Sequence, residues 1–341
     1  MSARRKDAAA SNKAKSSRQV PTIKNGDLSM QLPLELDQLM LDQFVHAFPF
    51  SDASSLHPVI QQVKGHLFNR DFLTAFSSPT YLQAYALRWS ASRALAYARI
   101  FGELQCLREW HMSATTEVSE LHDRAYRVLC IGGGAGAELV GLVSTLHDTS
   151  STGKIQLTAI DIADWAAVLN GLEQTMIAPL PLSKFASQAA KGANRAFIEG
   201  NQLDVQFVRQ DILDDRGLLE DTFRNADLCT IMFTLNELFS SSIAKTTALL
   251  LNLAEMNVGS HLLVVDSPGS YSEVKLGKQD KSKQYPMQWL MDHTMLDTAK
   301  GTWEKIMSND SQWFRLSSEL KYPIELENMR YQIHLYRRLG L

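Results

Sequence analysis

The segment Gly132-Gly133-Gly134-Ala135-Gly136-Ala137-Glu138 has the composition that most directly implies chemistry. It follows a short apolar run, Tyr126–Ile131 (YRVLCI), and precedes a helical pattern, ELVGLVSTLHD. Glycines in a strand-to-helix turn let the backbone bend tightly and approach a nucleotide-bearing ligand with no Cβ in the way. Two ligand classes satisfy the spacing. Gly132, Gly134 and Ala137 fit the GxGxxA of dinucleotide sites, and Gly132, Gly134 and Gly136 fit the GxGxG of S-adenosylmethionine (SAM) enzymes. Asp161 ends the next strand pattern, KIQLTAID, where a carboxylate can accept hydrogen bonds from both ribose hydroxyls in either class.

These residues need a scaffold, and the flanking periodicities describe one. YRVLCI, KIQLTAID, DVQFVRQD, DLCTIMF and SHLLVVD read as strands. Between them lie ELVGLVSTLHD, DWAAVLNGLEQTMI, an insertion SKFASQAAKGANRAFIEG, a short helix near 214–224 and a helix near 241–256. Strands alternating with helices predict an α/β, doubly wound, mostly parallel sheet, with the ligand edge at the C-terminal ends of the strands. The segment WFRLSSELKYPIELENMRYQIHLYRR reads as a closing antiparallel hairpin whose two halves flank Pro323. Residues 34–112 carry apolar positions three and four apart, Pro58 near a first turn and a Ser77-Ser78-Pro79 helix start. The chain divides accordingly into a disordered basic tail (1–30), a helical domain (31–122) and a sheet domain (123–341).

Composition narrows the class. The chain has 341 residues, 45% hydrophobic and 21% charged, ample for a sizeable core. No run approaches the roughly 18 uncharged apolar residues of a membrane span, and the basic N-terminus lacks the apolar centre of a secretory leader. Cys106, Cys130 and Cys229 are far apart, which argues against a disulfide framework or zinc site. None of the nine histidines has metal-ligand spacing, so no metal is expected. Seven basic residues in the first 25, against the single acid Asp7, leave the rest of the chain acidic despite a net charge of -3. Any nucleic-acid surface on the body must therefore be local, while the tail suits phosphate contacts or a nuclear address.

Asp211 and Ile212, in QFVRQDIL, favour SAM over NAD(P): an acid-plus-apolar pair there is similar to the SAM pattern in which the carboxylate faces the adenine amine. No constellation suited to hydride chemistry stands out, and the terminal hairpin resembles the last two strands of class I methyltransferases. Beyond these, RWSASRALAYARIF (Arg88–Phe101), VLCIGGGAGAE (Val128–Glu138) and FTLNEL (Phe233–Leu238) resemble a fungal family of SAM-dependent methyltransferases whose characterised members are 25S rRNA uridine-N3 methyltransferases. The resemblance covers nearly the whole chain after the tail. It implies a Rossmann-like class I methyltransferase fold with a seven-stranded sheet and an antiparallel last strand. It also implies SAM contacts at Gly132, Gly134, Gly136, Asp161 and Asp211, a substrate-side role for Thr234-Leu235-Asn236-Glu237, and large-subunit rRNA or a pre-ribosome as partner. The compartments expected of such an enzyme are the nucleus or nucleolus and the cytoplasm. The sequence departs at Cys130, where an acid usually stands two residues before the first glycine, leaving the methionine amino group to a backbone carbonyl or Glu138.

Methylating uridine N3 requires an in-line approach and removal of the N3 proton. Asn236 is the expected orienter of the base edge and Glu237 the expected proton acceptor, with Thr234 beside them. Tyr85, Trp89, Arg93, Tyr97 and Phe101 recur every four residues, a stripe that drifts about 40° per step. Tyr85 and Phe101 are expected in the core. Arg88 and Arg93 are harder to bury without partners, so both are candidates for substrate or for the cofactor's carboxylate. Lys275, Lys278, Lys281 and Lys283, expected on a loop near Tyr271, Tyr285 and Trp289, form the best local RNA patch, with Lys278 the substrate candidate. The rivals are an NAD(P)-dependent oxidoreductase and a non-catalytic ribosome-assembly scaffold.

Overall fold

The computed structural model describes residues 32–114, 124–147, 153–214, 220–269, 271–275 and 282–340. The expected basic tail and the expected 122/123 domain boundary lie outside the described residues. The N-terminal part is helical, as its spacing predicts: α1 (Leu34–Ala47), α2 (Ala53–Phe68), α3 (Phe72–Ala75), α4 (Pro79–Tyr85), a π-helical turn (Ala86–Ser90), α5 (Ala91–Glu103) and α6 (Gln105–Ala114). The Asp52 carboxylate accepts the Ser55 N–H at 2.8 Å to start α2, and the Ser78 hydroxyl accepts that of Tyr81 at 3.3 Å to start α4. Pro58 sits deeper in α2 than the first turn predicted for it. The helix accommodates it because Ser54, whose carbonyl loses its partner, is exposed and can be hydrated.

The sheet elements follow: β1 (Tyr126–Ile131), α7 (Ala137–Val143), β2 (Ile155–Asp161), α8 (Ala166–Met176), α9 (Gln188–Ala193), β3 (Leu203–Arg209), α10 (Glu220–Asn225), β4 (Leu228–Met232), α11 (Leu235–Ser241), α12 (Ile243–Asn252), β5 (His261–Asp266), β6 (Tyr271–Lys275), β7 (Ser282–Pro286), α13 (Met287–Asp292), β8 (Trp303–Phe314) and β9 (Met329–Arg338). Seven strands form one sheet in the order β3-β2-β1-β4-β5-β9-β8. β1 to β5 are parallel, and β9 enters antiparallel between β5 and β8. That is the doubly wound sheet with an antiparallel last strand that the sequence predicts. Helices cover both faces: α1, α5, α7 and α8 share one apolar core with the sheet, and α10 to α13 build the other.

Four local expectations change. The insertion at 183–200 is helical only in the six residues of α9, none of them buried, because a helix with no packed face has little to hold it. The helix expected over 241–256 breaks at Ser242, which is extended and caps α12 by accepting the Lys245 N–H at 3.3 Å. The closing hairpin begins at Trp303, and Pro323 lies in its connection. Register shifts between Lys305 and Met307 and between Asn309 and Gln312 interrupt the two-residue alternation, which hides β8 from a period-two reading. Lastly, the described parts of the stretch expected as a loop, Tyr271–Lys275 and Ser282–Pro286, pair as an antiparallel two-stranded ribbon, β6 with β7.

Two contacts fix the helical layer over the glycine loop. Gly141 of α7 faces α5 so closely that a Cβ would meet the Ala94 carbonyl oxygen at 3.0 Å. Arg99 of α5 makes a bidentate bond to Asp37 of α1, with side chains only 9% and 5% exposed, and its guanidinium lies 5.2 Å from the Phe314 ring. Removing one member strands a buried charge, so Asp37→Ala is expected to cost about 3–5 kcal/mol. Urea unfolding measures it, and a loss below about 1 kcal/mol would contradict the burial of this pair.

Candidate active site

A cleft of about 1190 Å³ opens at the C-terminal edge of β1, β2, β4 and β5, between the sheet and the α2–α5 layer. That exceeds the usual pocket for a single small ligand, leaving room for two groups side by side. Its floor is the glycine loop. Gly132 has φ +77°, and a Cβ there would lie 2.2 Å from Thr234 Oγ1. A Cβ on Gly134 would lie 2.2 Å from the Trp165 ring. Gly136 is the N-cap residue of α7.

Asp161 holds this floor in shape. Its carboxylate accepts the Gly134 N–H at 3.3 Å and the Ala163 N–H at 3.1 Å, and burial raises its pKa. Asp211 accepts the Leu213 N–H at 2.9 Å, so it forms a turn and also lines the cleft beside the buried Ile212. The carboxylates that the sequence assigns to ribose and adenine therefore line the same cleft as Gly132 and Gly136, whereas Gly134, expected as a contact, does not line it and gives its N–H to Asp161.

The cleft wall contributed by the helical layer is aromatic. The π turn closes hydrogen bonds five residues apart and so winds back the drift of a four-residue repeat. As a result Tyr85, Trp89, Arg93 and Tyr97 all line the cleft, while Phe101 is fully buried in the core. Tyr85 thus differs from its core expectation. Its ring lies 5.1 Å from Trp89, 5.3 Å from Phe76 and 5.6 Å from Trp165. Arg93 donates to the Tyr85 hydroxyl at 2.7 Å and places its guanidinium 4.5 Å from the Phe233 ring. Phe233 has a positive φ of 56°, an uncommon strain for an aromatic residue, at the turn that leaves β4. Arg88 is a correction. It does not line the cleft but pairs with Glu327 in the β8–β9 connection, and is 8% exposed. Its partner comes from 239 residues away, which no local pattern could announce.

Thr234, Asn236 and Glu237 do reach the cleft. Thr234 packs on Gly132 and donates to the Met232 carbonyl at 3.2 Å. The first turn of α11 is capped from another strand: Asp266, at the end of β5, accepts the Asn236 N–H at 3.1 Å. The Asn236 side chain is thereby spared capping, and its Oδ1 is buried without a hydrogen-bond partner among the described residues. Glu237 faces Arg70 at 3.6 Å across the cleft mouth. Asp266, Phe76, Trp165 and Phe233 are cleft residues the sequence reading did not select; the only signal for Asp266 was its place at a strand end. Lys278 and Lys281 lie outside the described residues. Beyond the ribbon, Trp289 is 47% exposed and stacked between Tyr285 and His293 at 4.7 and 5.2 Å.

Two cleft carboxyls are buried far from their ordinary state: burial pushes Glu138 up to about 7 and Asp266 up to about 6. A raised carboxyl binds its proton more tightly when folded, so this contribution is complete below about pH 4 and lost as pH rises through about 6 for Asp266 and about 7 for Glu138. Half-buried His111 and His261 (pushed down to about 4) and buried His334 (about 3) act oppositely, but only below pH 6.5. The Tm of the unliganded protein is thus expected to decline from about pH 6.5 to 8, and Glu138→Gln to flatten that decline. A wild-type Tm that rises over this interval would contradict the burial of Glu138.

The glycine pattern alone left two cofactors open. Residues 44–337 match the family described as "Putative SAM-dependent methyltransferase". The chain belongs to this family. Its cofactor is SAM, and the site fits: a glycine floor where a Cβ on Gly132 would meet Thr234, with Asp161 and Asp211 lining the same cleft. The NAD(P) alternative is set aside by the family match. A Saccharomyces cerevisiae relative, "25S rRNA (uridine(2843)-N(3))-methyltransferase", is 31% identical, with 93% of this chain and 88% of the relative covered. Among solved structures, an O-methyltransferase family protein from Burkholderia thailandensis aligns with TM-score 0.43 at 12% identity, covering 85% of this chain and 74% of that one. A SAM-dependent methyltransferase from Methanosarcina mazei aligns with TM-score 0.35 at 11% identity, covering 63% and 93%. No described helix of this methyltransferase is long and apolar enough to cross a membrane.

Proposed function

We propose that the enzyme methylates N3 of a uridine in large-subunit rRNA, acting on the free RNA or within a pre-ribosome. The observation that carries this reading is the full-length similarity to the yeast rRNA enzyme. The cleft supports it. Tyr85, Trp89, Phe76 and Trp165 supply aromatic faces suited to an extruded base. Asn236 lines the cleft with an unpaired acceptor oxygen, and its amide can bond the edge of a base that carries a single N–H between two carbonyls. SAM, when bound, supplies a methyl group activated on a sulfonium. The chain's own part is to hold the base edge through Asn236, with Thr234 lining its side, and to take the N3 proton onto Glu237. Asp266 acts through Asn236, fixing the turn that carries it. The Tyr285–Trp289–His293 stack and the lysines around Lys278 extend the RNA contact, and the enzyme works in the nucleus or nucleolus and the cytoplasm.

An N3 methyl blocks Watson–Crick pairing, so the modified uridine stops reverse transcriptase. Deleting the gene is expected to abolish one such stop in large-subunit rRNA, with wild type but not Asp161→Ala restoring it. A stop that persists after deletion overturns the reading. Restoration by Asp161→Ala would favour the non-catalytic scaffold.

A further inference from the structure

Cys130, the last residue but one of β1, stands at the position where an acid would serve the cofactor's amino group, and the structure contains a substitute. Cys130 and Thr230 are paired across β1 and β4. Glu138, in the first turn of α7, folds back over that pair and accepts a hydrogen bond from the Thr230 hydroxyl. The convergence is close: a Cβ on Gly133 would lie 2.5 Å from Cys130 Cβ and 2.6 Å from Glu138 Oε2. The short side chain at 130 leaves the room that the longer one at 138 fills with a carboxyl. Glu138 is 4% exposed yet lines the cleft under the glycine loop.

We propose that Glu138 receives the α-ammonium group of SAM, in place of the strand-end acid that Cys130 replaces. The groups facing Glu138 are Thr230 and Cys229 on β4, Cys130 on β1, Asp161 on β2, and Arg93 and Tyr97 on α5. Arg93 is the one cation among them. The buried Glu138 carboxyl and the half-buried Arg93 guanidinium, which line the same cleft, complement the two charges of an amino-acid zwitterion. Burial holds Glu138 near a pKa of about 7, so an arriving ammonium ionises it and one proton leaves to solvent from the protonated fraction.

The test is calorimetric and uses the full-length protein with two ligands. S-adenosylhomocysteine carries the amino-acid arm, and 5′-methylthioadenosine shares the adenosyl thioether without it. Glu138→Gln is expected to weaken S-adenosylhomocysteine by about 10- to 100-fold and leave 5′-methylthioadenosine within twofold. Equal loss of both ligands, or loss of neither, overturns the proposal. Retained 5′-methylthioadenosine binding also shows that the variant is folded. Should the variant not fold, wild-type titrations in phosphate and Tris at pH 7 decide. Net proton release with S-adenosylhomocysteine and none with 5′-methylthioadenosine supports the proposal, and equal release with both overturns it.

Discussion

Asp161→Ala is expected to lower the affinity for S-adenosylhomocysteine by at least about 100-fold while the fold survives. Two hydrogen bonds from ribose hydroxyls to a carboxylate are each worth about 1.5–3 kcal/mol, and every 1.4 kcal/mol is tenfold in affinity. The carboxylate also organises the floor: without it the Gly134 and Ala163 N–H groups lose their acceptor. Trp165 cannot move in to compensate, since it is 2% exposed and wedged against Phe76 and Tyr85. Calorimetry with circular dichroism reads the effect. Affinity within threefold of wild type would remove Asp161 from the cofactor site.

Glu237→Gln is expected to slow methyl transfer by about 10²–10⁴-fold, the range lost with a positioned proton acceptor, with cofactor affinity unchanged. Glu237 pairs with Arg70, and neither the glycine loop nor Asp161 is hydrogen-bonded to it among the described residues, so the cofactor's seat does not depend on it. The variant's rate is expected to recover partly at alkaline pH, where uridine N3 loses its proton to solvent. A merely structural role would show no such recovery. Asn236→Ala, by removing the orienter, is expected to cost about 100-fold or more in rate, as loss of one positioned polar group does elsewhere.

What the sequence disclosed is what local spacing encodes. The glycine loop, Asp161, Asp211 and the antiparallel closing strand all follow from runs of a few residues, because strand, turn and helix start are each specified locally. The aromatic wall of the cleft was less legible. Tyr85 reads as core on a straight α-helix, and only the π turn at 86–90 swings it to the cleft. Arg88 looks like a free cation until the β8–β9 connection brings Glu327 to it. Asp266 is one acid among many, and its capping of α11 depends on β4 and β5 being neighbours. Phe76 and Trp165 meet because α3 folds over the start of α8, a tertiary event with no periodic trace.

Transfer of a labelled methyl group from SAM to unmodified large-subunit rRNA, followed by nucleoside digestion and chromatography, tests the central claim most directly. The account predicts label in 3-methyluridine with wild type and none with Asp161→Ala. Label in any other nucleoside, or no label in RNA while S-adenosylhomocysteine still binds, would contradict it.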